Sequence, residues 1–317
     1  MNFKTFKDLN SDIFANLHKL PADIDLVAGI PRSGLLAANI IALYKNLPLT
    51  DIDSLAESKI SLINYTNRKR NNWIDDISQA RKILIVDDSV CSGASLNMAR
   101  VKLKNCNFFD KIIFMAIYAA KSSIKFVDLY FDLVEFPRMF EWNYLHHGGI
   151  VNACFDIDGV LCPDPTEEQN DDGAKYIDFI RNVPARVVPS YKIGYIITSR
   201  LEKYRKETER WLKGKNIMYD ELIMMNLATK EDRIKSGSHG KFKAEHYRKI
   251  KDANIFIESN TGQAQEIAKL SGKMVFCTDS HEVYKESLLI KAKREVRKLL
   301  SKILPRKIKD FIKKLIA

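Results

Sequence analysis

The chain has 317 residues, of which 46% are hydrophobic and 29% are charged, and its formal net charge is +11. This length is roughly twice that of a typical domain, so two domains are expected, each long enough to bury a core. The five cysteines form no CxxC pair, which argues against a disulfide framework or a zinc site and indicates a reducing compartment. A polar amino terminus and the lack of an apolar run of ~18 residues argue against a signal peptide and a spanning helix, so a cytoplasmic protein is expected.

The first strand–turn–helix pattern of the chain lies near its amino terminus. An apolar strand at 25–28 is predicted to enter a glycine-bounded turn at 29–34, GIPRSG, and an apolar helix at 35–44 follows. Such a turn can direct backbone N–H groups and the start of a helix at an anion. Arg32 and Ser33 are the candidate anion-binding residues, with an ordinary turn as the alternative.

A second pattern of the same kind carries two adjacent carboxylates. The β-branched run at 83–86 is predicted to form a strand that ends in Asp87 and Asp88, just before a small-residue turn. The turn can bind a phosphate, and the carboxylates can accept hydrogen bonds from hydroxyls of the sugar that carries it. This pattern predicts a ribose-phosphate site, with a plain strand–turn–helix junction as the alternative. The turn consists of Ser92, Gly93, Ala94 and Ser95.

This strand, acidic pair and turn resemble the motif with which type I phosphoribosyltransferases bind 5-phosphoribosyl pyrophosphate (PRPP). The resemblance implies that Asp87 and Asp88 bind the ribose hydroxyls of this donor and that the turn at 92–95 binds its 5-phosphate. It also implies that Arg32 and Ser33 bind the pyrophosphate, and that PRPP is bound together with Mg²⁺.

Two other segments take their interpretation from the same family. The polar, basic segment at 57–75 is either the mobile loop that closes over the pyrophosphate or a solvated hairpin. The aromatic segment at 126–147 is predicted to be the hood, which in the family selects the nucleophile and can also lie at the amino terminus. Within it, Phe140 and Trp142 would either stack on a purine base or belong to the core.

Another strand that ends in paired carboxylates begins the second half of the chain. The apolar residues 151–155 lead into the string DIDGVL at 156–161. Two carboxylates at this spacing can reach one Mg²⁺-bound phosphoryl group. The string resembles the first motif of the haloacid-dehalogenase superfamily of aspartyl phosphatases. The resemblance implies that Asp156 is the nucleophile and that Asp158 is the general acid and base.

The later motifs of that superfamily follow in the expected order. A strand at 194–197 leads to Thr198, which the resemblance makes a hydrogen-bond donor to the transferring phosphate. Lys243 is the candidate for the lysine that offsets the charge of nucleophile and phosphate, and Lys241 is the second choice.

The last motif departs from the superfamily pattern. A strand at 254–257 leads to Glu258, where the family has one or two Asp residues that bind Mg²⁺. Glu258 therefore joins Asp156 and Asp158 as a predicted Mg²⁺ ligand, and a domain that only binds is the alternative. The short interval between the first two motifs leaves room for a small cap at most, which would leave the site open to large substrates.

The positive charge is concentrated in a tail at 283–317. From residue 291 onward, eleven Lys and Arg residues stand against Glu295 and Asp310. Apolar residues recur at helical spacing on both sides of Pro305, which predicts two basic amphipathic helices suited to an anionic membrane surface. Docking onto the protein itself or a partner is one alternative. Nucleic acid is disfavoured because the apolar face is aliphatic.

Together these patterns predict an α/β protein with two doubly wound parallel-sheet domains, at 1–148 and 149–282, and a helical tail at 283–317. The pairing of activities resembles ribofuranosyl-adding systems of bacterial surface-polysaccharide assembly (O-antigen or capsule). There, a hydroxyl of a lipid-linked glycan displaces pyrophosphate from PRPP, and a phosphatase removes the 5-phosphate. The resemblance implies a bifunctional, Mg²⁺-dependent ribofuranosyltransferase, peripheral at the inner face of the membrane. A nucleobase phosphoribosyltransferase with an attached nucleotidase and a non-catalytic PRPP-binding regulator remain alternatives.

Overall fold

The structure is a computed structural model that describes residues 1–60, 73–74, 76–237 and 239–285. It divides into two compact units, Met1–Asn143 and a second that begins at Tyr144. The predicted tail lies outside the described residues except for its first three. Among the described residues, no helix is long and apolar enough to cross a membrane.

The first unit alternates strands and helices. Its strands are β1 (Asn2–Lys4), β2 (Ile24–Gly29), β3 (Leu49–Asp51), β4 (Lys82–Ser89), β5 (Ile112–Ala119), β6 (Leu129–Leu133) and β7 (Arg138–Phe140). Its helices are α1 (Phe6–Asn16), α2 (Ser33–Lys45), α3 (Ile52–Ala56) and α4 (Ala94–Leu103). Five strands form a parallel sheet in the order β3-β2-β4-β5-β6. All six residues of β2 are buried, as expected for a central strand covered on both faces.

The amino terminus and the predicted hood come together in a small second sheet. Strand β1 pairs in parallel with β7, and Phe3 lies opposite Met139. Helix α1 then begins at a capping box, in which the Thr5 hydroxyl accepts from the Asp8 N–H and the Asp8 carboxylate accepts from the Thr5 N–H. The two places that the family uses for a hood are therefore joined here by backbone hydrogen bonds.

The second unit is also an α/β fold around a mainly parallel sheet. Its strands are β8 (Ala153–Phe155), β9 (Ile193–Leu201), β10 (Tyr219–Met225), β11 (Ile255–Glu258), β12 (Val275–Cys277) and β13 (Glu282–Tyr284). Its helices are α5 (Ala174–Asn182), α6 (Arg205–Gly214), α7 (Lys230–Ser236), α8 (His239–Lys249) and α9 (Thr261–Ser271). The strand order is β10-β9-β8-β11-β12-β13, and every pairing is parallel except that of β13 with β12.

Strand β13 corrects the predicted start of the tail. Val283 and Tyr284 pair with Phe276 and Val275 of β12 and so extend the sheet, whereas a helix had been expected from residue 283. Backbone hydrogen bonds to a neighbouring strand are a long-range effect that helical spacing further along the chain does not reveal.

The strands that carry predicted site residues are longer than expected. Strand β4 continues through the acidic pair to Ser89, and β9 continues through Thr198 to Leu201. By contrast, β8 begins two residues later than predicted, because residues Gly148–Asn152 form a 3₁₀ turn. In both sheets the candidate residues lie at the carboxyl ends of parallel strands, where such sheets bind ligands.

Candidate active sites

The acidic pair of the first unit is buried at the end of β4. The Asp87 side chain accepts a hydrogen bond of 3.0 Å from the Asp88 N–H. Helix α2 packs against this point, since a Cβ on Gly34 would lie 2.6 Å from the Val86 carbonyl oxygen and 3.1 Å from Asp87 Oδ1. Burial, with the charge of Asp88 beside it, raises the pKa of Asp87 to about 8.

Trp142 holds the other carboxylate of the pair. Its indole Nε1–H donates a hydrogen bond of 2.8 Å to Asp88 Oδ2. The Trp142 ring lies 4.9 Å from Phe140 and 6.3 Å from Tyr118, and Phe140 lies 5.4 Å from Tyr118, so the three near-parallel rings form one cluster. Phe140 is buried within this cluster, which supports the second alternative, a place in the core. Trp142 is a hydrogen-bond donor to a predicted ribose-binding carboxylate.

Hydrogen bonds from two side chains, Arg138 and Ser123, hold the turn after β4 in place. The Val90 carbonyl oxygen accepts a hydrogen bond of 2.6 Å from Arg138 Nη2 and one of 3.0 Å from Ser123 Oγ. Gly93 has a φ of +75°, and a Cβ there would lie 2.5 Å from the ring of Phe126, so the turn requires glycine.

A pocket of about 120 Å³ lies over this turn and reaches Asp87. Helix α4 begins at Ala94 directly after Gly93, which has no side chain to cap it, and the Ala94 N–H makes one long hydrogen bond of 3.4 Å to Ser92 Oγ. The start of a helix can bind an anion, and the pocket lies where the 5-phosphate is predicted to bind. Its lining includes Ser92, Gly93, Ala94 and Ser95.

The predicted pyrophosphate turn lies beside the acidic pair. The Ile30 N–H donates to the Val86 carbonyl oxygen at 2.9 Å, which ties the turn to β4. The Pro31–Arg32 peptide bond is cis, Arg32 is exposed, and Ser33 begins α2. Most of the candidate mobile loop, residues 61–72 and 75, lies outside the described residues.

In the second unit, one buried lysine joins two carboxylates. Lys243 Nζ donates hydrogen bonds of 2.5 Å to Asp156 Oδ2, 2.7 Å to Glu258 Oε2 and 2.8 Å to Gln263 Oε1. The lysine is only 1% exposed, and Lys241 is exposed on the same helix, so the structure brings the first choice into the site and not the second.

The charges in this cluster determine its protonation. Burial lowers the pKa of Lys243, but the two neighbouring carboxylates outweigh that effect and raise it overall. Burial raises the pKa of Glu258 to about 7, against the opposing effect of Lys243. Lys243 therefore stays charged, while Glu258 retains a proton to near-neutral pH.

Asp158 is held by a guanidinium group that the sequence analysis did not assign. Arg200, at the end of β9, donates from Nη2 to Asp158 Oδ1 at 2.6 Å and from Nε to Oδ2 at 3.0 Å. Arg200 is completely buried, and the Cys162 thiol also donates to Asp158 Oδ1 at 3.4 Å. Both oxygens of Asp158 are thus bound on the side away from solvent.

The predicted Mg²⁺ ligands fit a cation only in part. Asp156 and Glu258 share one ammonium group, and their carboxylate oxygens have second lone pairs to offer to a cation once Glu258 has lost its proton. Two carboxylates suffice for Mg²⁺, which keeps several of its waters. Asp158 fits a cation less well, because the charge of Arg200, which contacts both of its oxygens, already balances its own. Among the described residues, no group of three or more His, Cys, Asp and Glu side chains is arranged to hold a metal ion.

A pocket of about 210 Å³ opens over this cluster. Thr198 lines it from the end of β9, next to Ser199. A carboxylate from outside the predicted motifs, Asp164, lines it as well. The pocket has room for a phosphoryl group together with part of the molecule that carries it.

Comparison with known families identifies the first unit. A sequence model of the phosphoribosyl transferase domain matches residues 2–146. These residues form a phosphoribosyltransferase domain. The predicted resemblance is confirmed for this part of the chain, and the acidic pair and the turn of β4 lie within the matched residues. The resemblance of the second unit to aspartyl phosphatases stays a prediction, and no curated protein matches the chain.

Three solved structures similar to the chain each cover less than half of it. The xanthine-guanine-hypoxanthine phosphoribosyltransferase of Helicobacter pylori is 16% identical, with a TM-score of 0.35, covering 45% of this chain and 93% of its own. A purine phosphoribosyltransferase from Pyrococcus horikoshii is 19% identical, with a TM-score of 0.32, covering 44% and 92%. A Neisseria gonorrhoeae protein with bound ppGpp is 14% identical, with a TM-score of 0.31, covering 45% and 90%.

Three site residues escaped the sequence analysis. Arg200 is the third residue of the string TSR, so its place at a strand end was a usable signal. Arg138 lies within an aromatic segment and gave no sign of reaching back to the turn after β4. Gln263 lies in a polar helix, and only the packing of that helix beside Lys243 reveals its contact.

Proposed function

We propose that the protein is a bifunctional ribofuranosyltransferase that adds ribose 5-phosphate from PRPP to a glycan hydroxyl and then removes the 5-phosphate. The phosphoribosyltransferase domain supports the use of PRPP. The observation that supports removal of the 5-phosphate is the buried contact of Lys243 with Asp156 and Glu258. These three residues come from separate parts of the sequence, and their contact in the fold supports the proposed phosphatase step.

At the first site, the proposed chemistry is displacement of pyrophosphate at ribose C1. Asp87 and Asp88 would accept hydrogen bonds from the ribose hydroxyls, and the N–H groups of the turn at 92–95 would hold the 5-phosphate. Arg32 and Ser33 would bind the pyrophosphate that leaves. Positioning of the two reactants and stabilisation of the leaving charge would provide most of the rate enhancement.

At the second site, an oxygen of Asp156 would attack the phosphorus of the 5-phosphate and form an aspartyl phosphate. Thr198 would donate a hydrogen bond to the phosphoryl oxygens, and the ammonium group of Lys243 would offset their charge. Mg²⁺ held by Asp156 and Glu258 would supply additional positive charge there. Water then hydrolyses the aspartyl phosphate, with the sequence assigning proton transfer to Asp158.

The combined product of the two steps supports the proposed acceptor. A transferase that adds a phosphorylated ribose and a phosphatase that removes the phosphate together make a plain ribofuranoside, which is a constituent of glycans. Use of both activities on a nucleotide would destroy what the first had made. The basic amphipathic sequence at 291–317 supports action on a lipid-linked glycan at an anionic membrane surface.

Mass spectrometry of lipid-linked glycans incubated with PRPP and Mg²⁺ tests the proposal. We expect the wild type to add a pentose and Asp156→Asn to add a phosphopentose. The exposed Asp178 on α5 provides a control, because Asp178→Asn should still add a plain pentose. Normal dephosphorylation by Asp156→Asn would contradict the assignment of the nucleophile.

Two other outcomes would replace the proposal. Nucleotide formation from a free base, with no change in any glycan, would indicate a nucleobase phosphoribosyltransferase with an attached nucleotidase. Binding of PRPP without turnover, together with no hydrolysis of phosphate esters, would indicate a regulator.

A further inference from the structure

The pocket over the turn after β4 contains no cationic side chain among the described residues. Its lining consists of residues 89–96 and Asp87, and none of these is Lys, Arg or His. A phosphate monoester carries a charge of about −1.5 to −2 at pH 7. Within the described part of the chain, positive charge for the predicted 5-phosphate can therefore come only from behind this lining.

Arg138 lies directly behind the turn. It is only 5% exposed, and its Nη2 donates a hydrogen bond of 2.6 Å to the Val90 carbonyl oxygen. Its Nη1 donates one of 3.0 Å to the Val134 carbonyl oxygen. The guanidinium carbon also lies 4.5 Å from the ring centre of Phe136 and 5.5 Å from that of Phe140. These contacts fix the guanidinium group against the turn that lines the pocket.

The charge of Arg138 has no direct counterpart. Both of its hydrogen-bond acceptors are neutral carbonyl oxygens, it forms no ion pair within the described residues, and Asp88 and Glu135 act on it only at longer range. Arg200, which is also buried, instead binds both oxygens of Asp158. Burial of an unpaired charge is costly, and a guanidinium group cannot escape that cost by losing its proton. An anion bound at the turn would supply the missing negative charge.

The Val90 carbonyl group connects Arg138 to the pocket. The C=O and N–H groups of a trans peptide point in opposite directions, so the hydrogen bond to Arg138 turns the Cys91 N–H away from the guanidinium group. The Cys91 N–H donates to no acceptor among the described residues, and Cys91 lines the pocket. A charged donor on the carbonyl oxygen also polarises this peptide and strengthens its N–H as a donor.

We propose that Arg138 is a positioning residue of the 5-phosphate site. Its buried charge balances the phosphate from behind the turn, and its hydrogen bond to Val90 presents the Cys91 N–H to the phosphate. This inference rests on the proposed binding of PRPP at the first site and is independent of the acceptor. It gives the 5-phosphate a cation that does not touch it.

Two ligands that differ in the 5-phosphate test the inference on the full chain. PRPP carries this group and inorganic pyrophosphate does not, and competition between them makes both Kd values report on the same site, with Mg²⁺ and without an acceptor. Arg138→Gln should raise the Kd for PRPP about tenfold or more, because a charged hydrogen-bond donor is lost. The Kd for pyrophosphate should stay within about twofold of wild type, since that ligand does not reach the turn.

Arg138→Lys separates the charge from the packing. Lysine keeps the positive charge but loses the fork that contacts two carbonyl oxygens. We expect its Kd for PRPP to be at least about threefold below that of Arg138→Gln, because the charge is retained. Equal Kd values in the two variants would mean that Arg138 only holds the turn in place, and would overturn the inference. If Arg138→Gln does not fold, Arg138→Lys against the wild type gives the same comparison of the two ligands.

Lys125 provides the matched control. It is exposed, and its Nζ lies 5.2 Å from the ring centre of Phe126, which packs against Gly93 of the turn. Lys125→Gln therefore removes the same charge near the same turn, but from a position that water and salt screen. We expect its Kd for PRPP to stay within about twofold of wild type. A rise as large as that of Arg138→Gln would overturn the inference, since any nearby cation would then serve.

The remaining outcomes are also distinct. Equal losses of PRPP and pyrophosphate binding in Arg138→Gln would indicate general damage to the first unit and would overturn the inference. Wild-type affinity for PRPP in that variant would overturn it as well, while the proposed use of PRPP would stand. A wild type that does not bind PRPP would overturn the proposed first site itself, and the inference with it.

Discussion

The two units each bury a pair of acidic side chains at strand ends, but they balance the charge differently. In the first unit, Asp87 and Asp88 receive only N–H hydrogen bonds, and no cationic side chain of the described residues forms an ion pair with them. In the second unit, Lys243 is in direct contact with Asp156 and Glu258. The first pair can accept hydrogen bonds from neutral groups such as hydroxyls, whereas the second already contains a cation, which the proposed phosphate substrate would need.

This difference makes the lysine the most sensitive point of the second unit. Lys243→Met would leave two buried carboxylates without their shared partner, and breaking a buried ion pair costs about 3–5 kcal/mol. We expect the free energy of unfolding, measured in urea, to fall by that order, and phosphatase activity to be lost. The loss of stability should be smaller at pH 5 than at pH 8, because Glu258, whose pKa is raised to about 7, binds a proton at the lower pH.

Lys241 is the control for that change. It lies on the same helix and is exposed, so Lys241→Met should change the free energy of unfolding by less than about 0.5 kcal/mol. Equal effects of the two variants would mean that the contact with Asp156 and Glu258 is not the source of the stability.

The contribution of Asp87 to the free energy of unfolding should fall as the pH rises, whereas that of a carboxylate with a lowered pKa falls as the pH drops. The pKa of Asp87 is raised from 3.8 to about 8 in the folded protein, so the folded state binds its proton more tightly than the unfolded chain. Its contribution to stability is therefore complete below about pH 4 and is lost as the pH rises toward about 8. Asp87→Asn cannot titrate, so the free energy of unfolding of the wild type should fall relative to this variant across that range.

Asp88→Asn tests the cause of that response. It removes the neighbouring negative charge that helps to raise the pKa of Asp87, so the pH range over which stability is lost should become narrower. A difference between wild type and Asp87→Asn that does not vary with pH would contradict a raised pKa in the folded protein.

The sequence predicted the positions of these groups better than their contacts. Asp87, Asp88, Asp156 and Glu258 follow short apolar runs, and a parallel sheet places the ends of such strands at one edge, so local pattern was sufficient. What each carboxylate binds depends on residues far along the chain. Trp142 reaches Asp88 across 54 positions, and no local pattern records such a contact.

The aromatic segment at 126–147 is a second example in which the sequence did not reveal the contacts of a residue. Its aromatic content was compatible with base stacking or with a core, and periodicity could not separate the two. The burial of Phe140 indicates that this ring belongs to the core. The indole N–H of Trp142 donates a hydrogen bond to Asp88, and this bond fixes where the Trp142 ring lies. Asp158 is a related case, in which the motif predicted the carboxylate and only the fold revealed Arg200 beside it.

The smallest predicted effect concerns the hydrogen bond that orients Asp88. Trp142→Phe keeps a ring in the stack on Phe140 but removes the indole N–H donor. Hydrogen bonds to charged groups contribute about 1.5–3 kcal/mol, and part of that should be lost from PRPP binding because Asp88 is no longer held in place. We expect the Kd for PRPP with Mg²⁺, measured by calorimetry, to rise about tenfold, which corresponds to about 1.4 kcal/mol.

Trp211→Phe is the matched control for this measurement. Trp211 also donates from its indole N–H, at 2.7 Å, but to the Val183 carbonyl oxygen of the second unit and not to the acidic pair. The same loss of an N–H group there should leave the Kd for PRPP unchanged. A rise in both variants would indicate a general loss of packing, whereas a rise in Trp142→Phe alone would show that the first unit uses a neutral donor to position Asp88, where the second unit uses Lys243 to position Asp156.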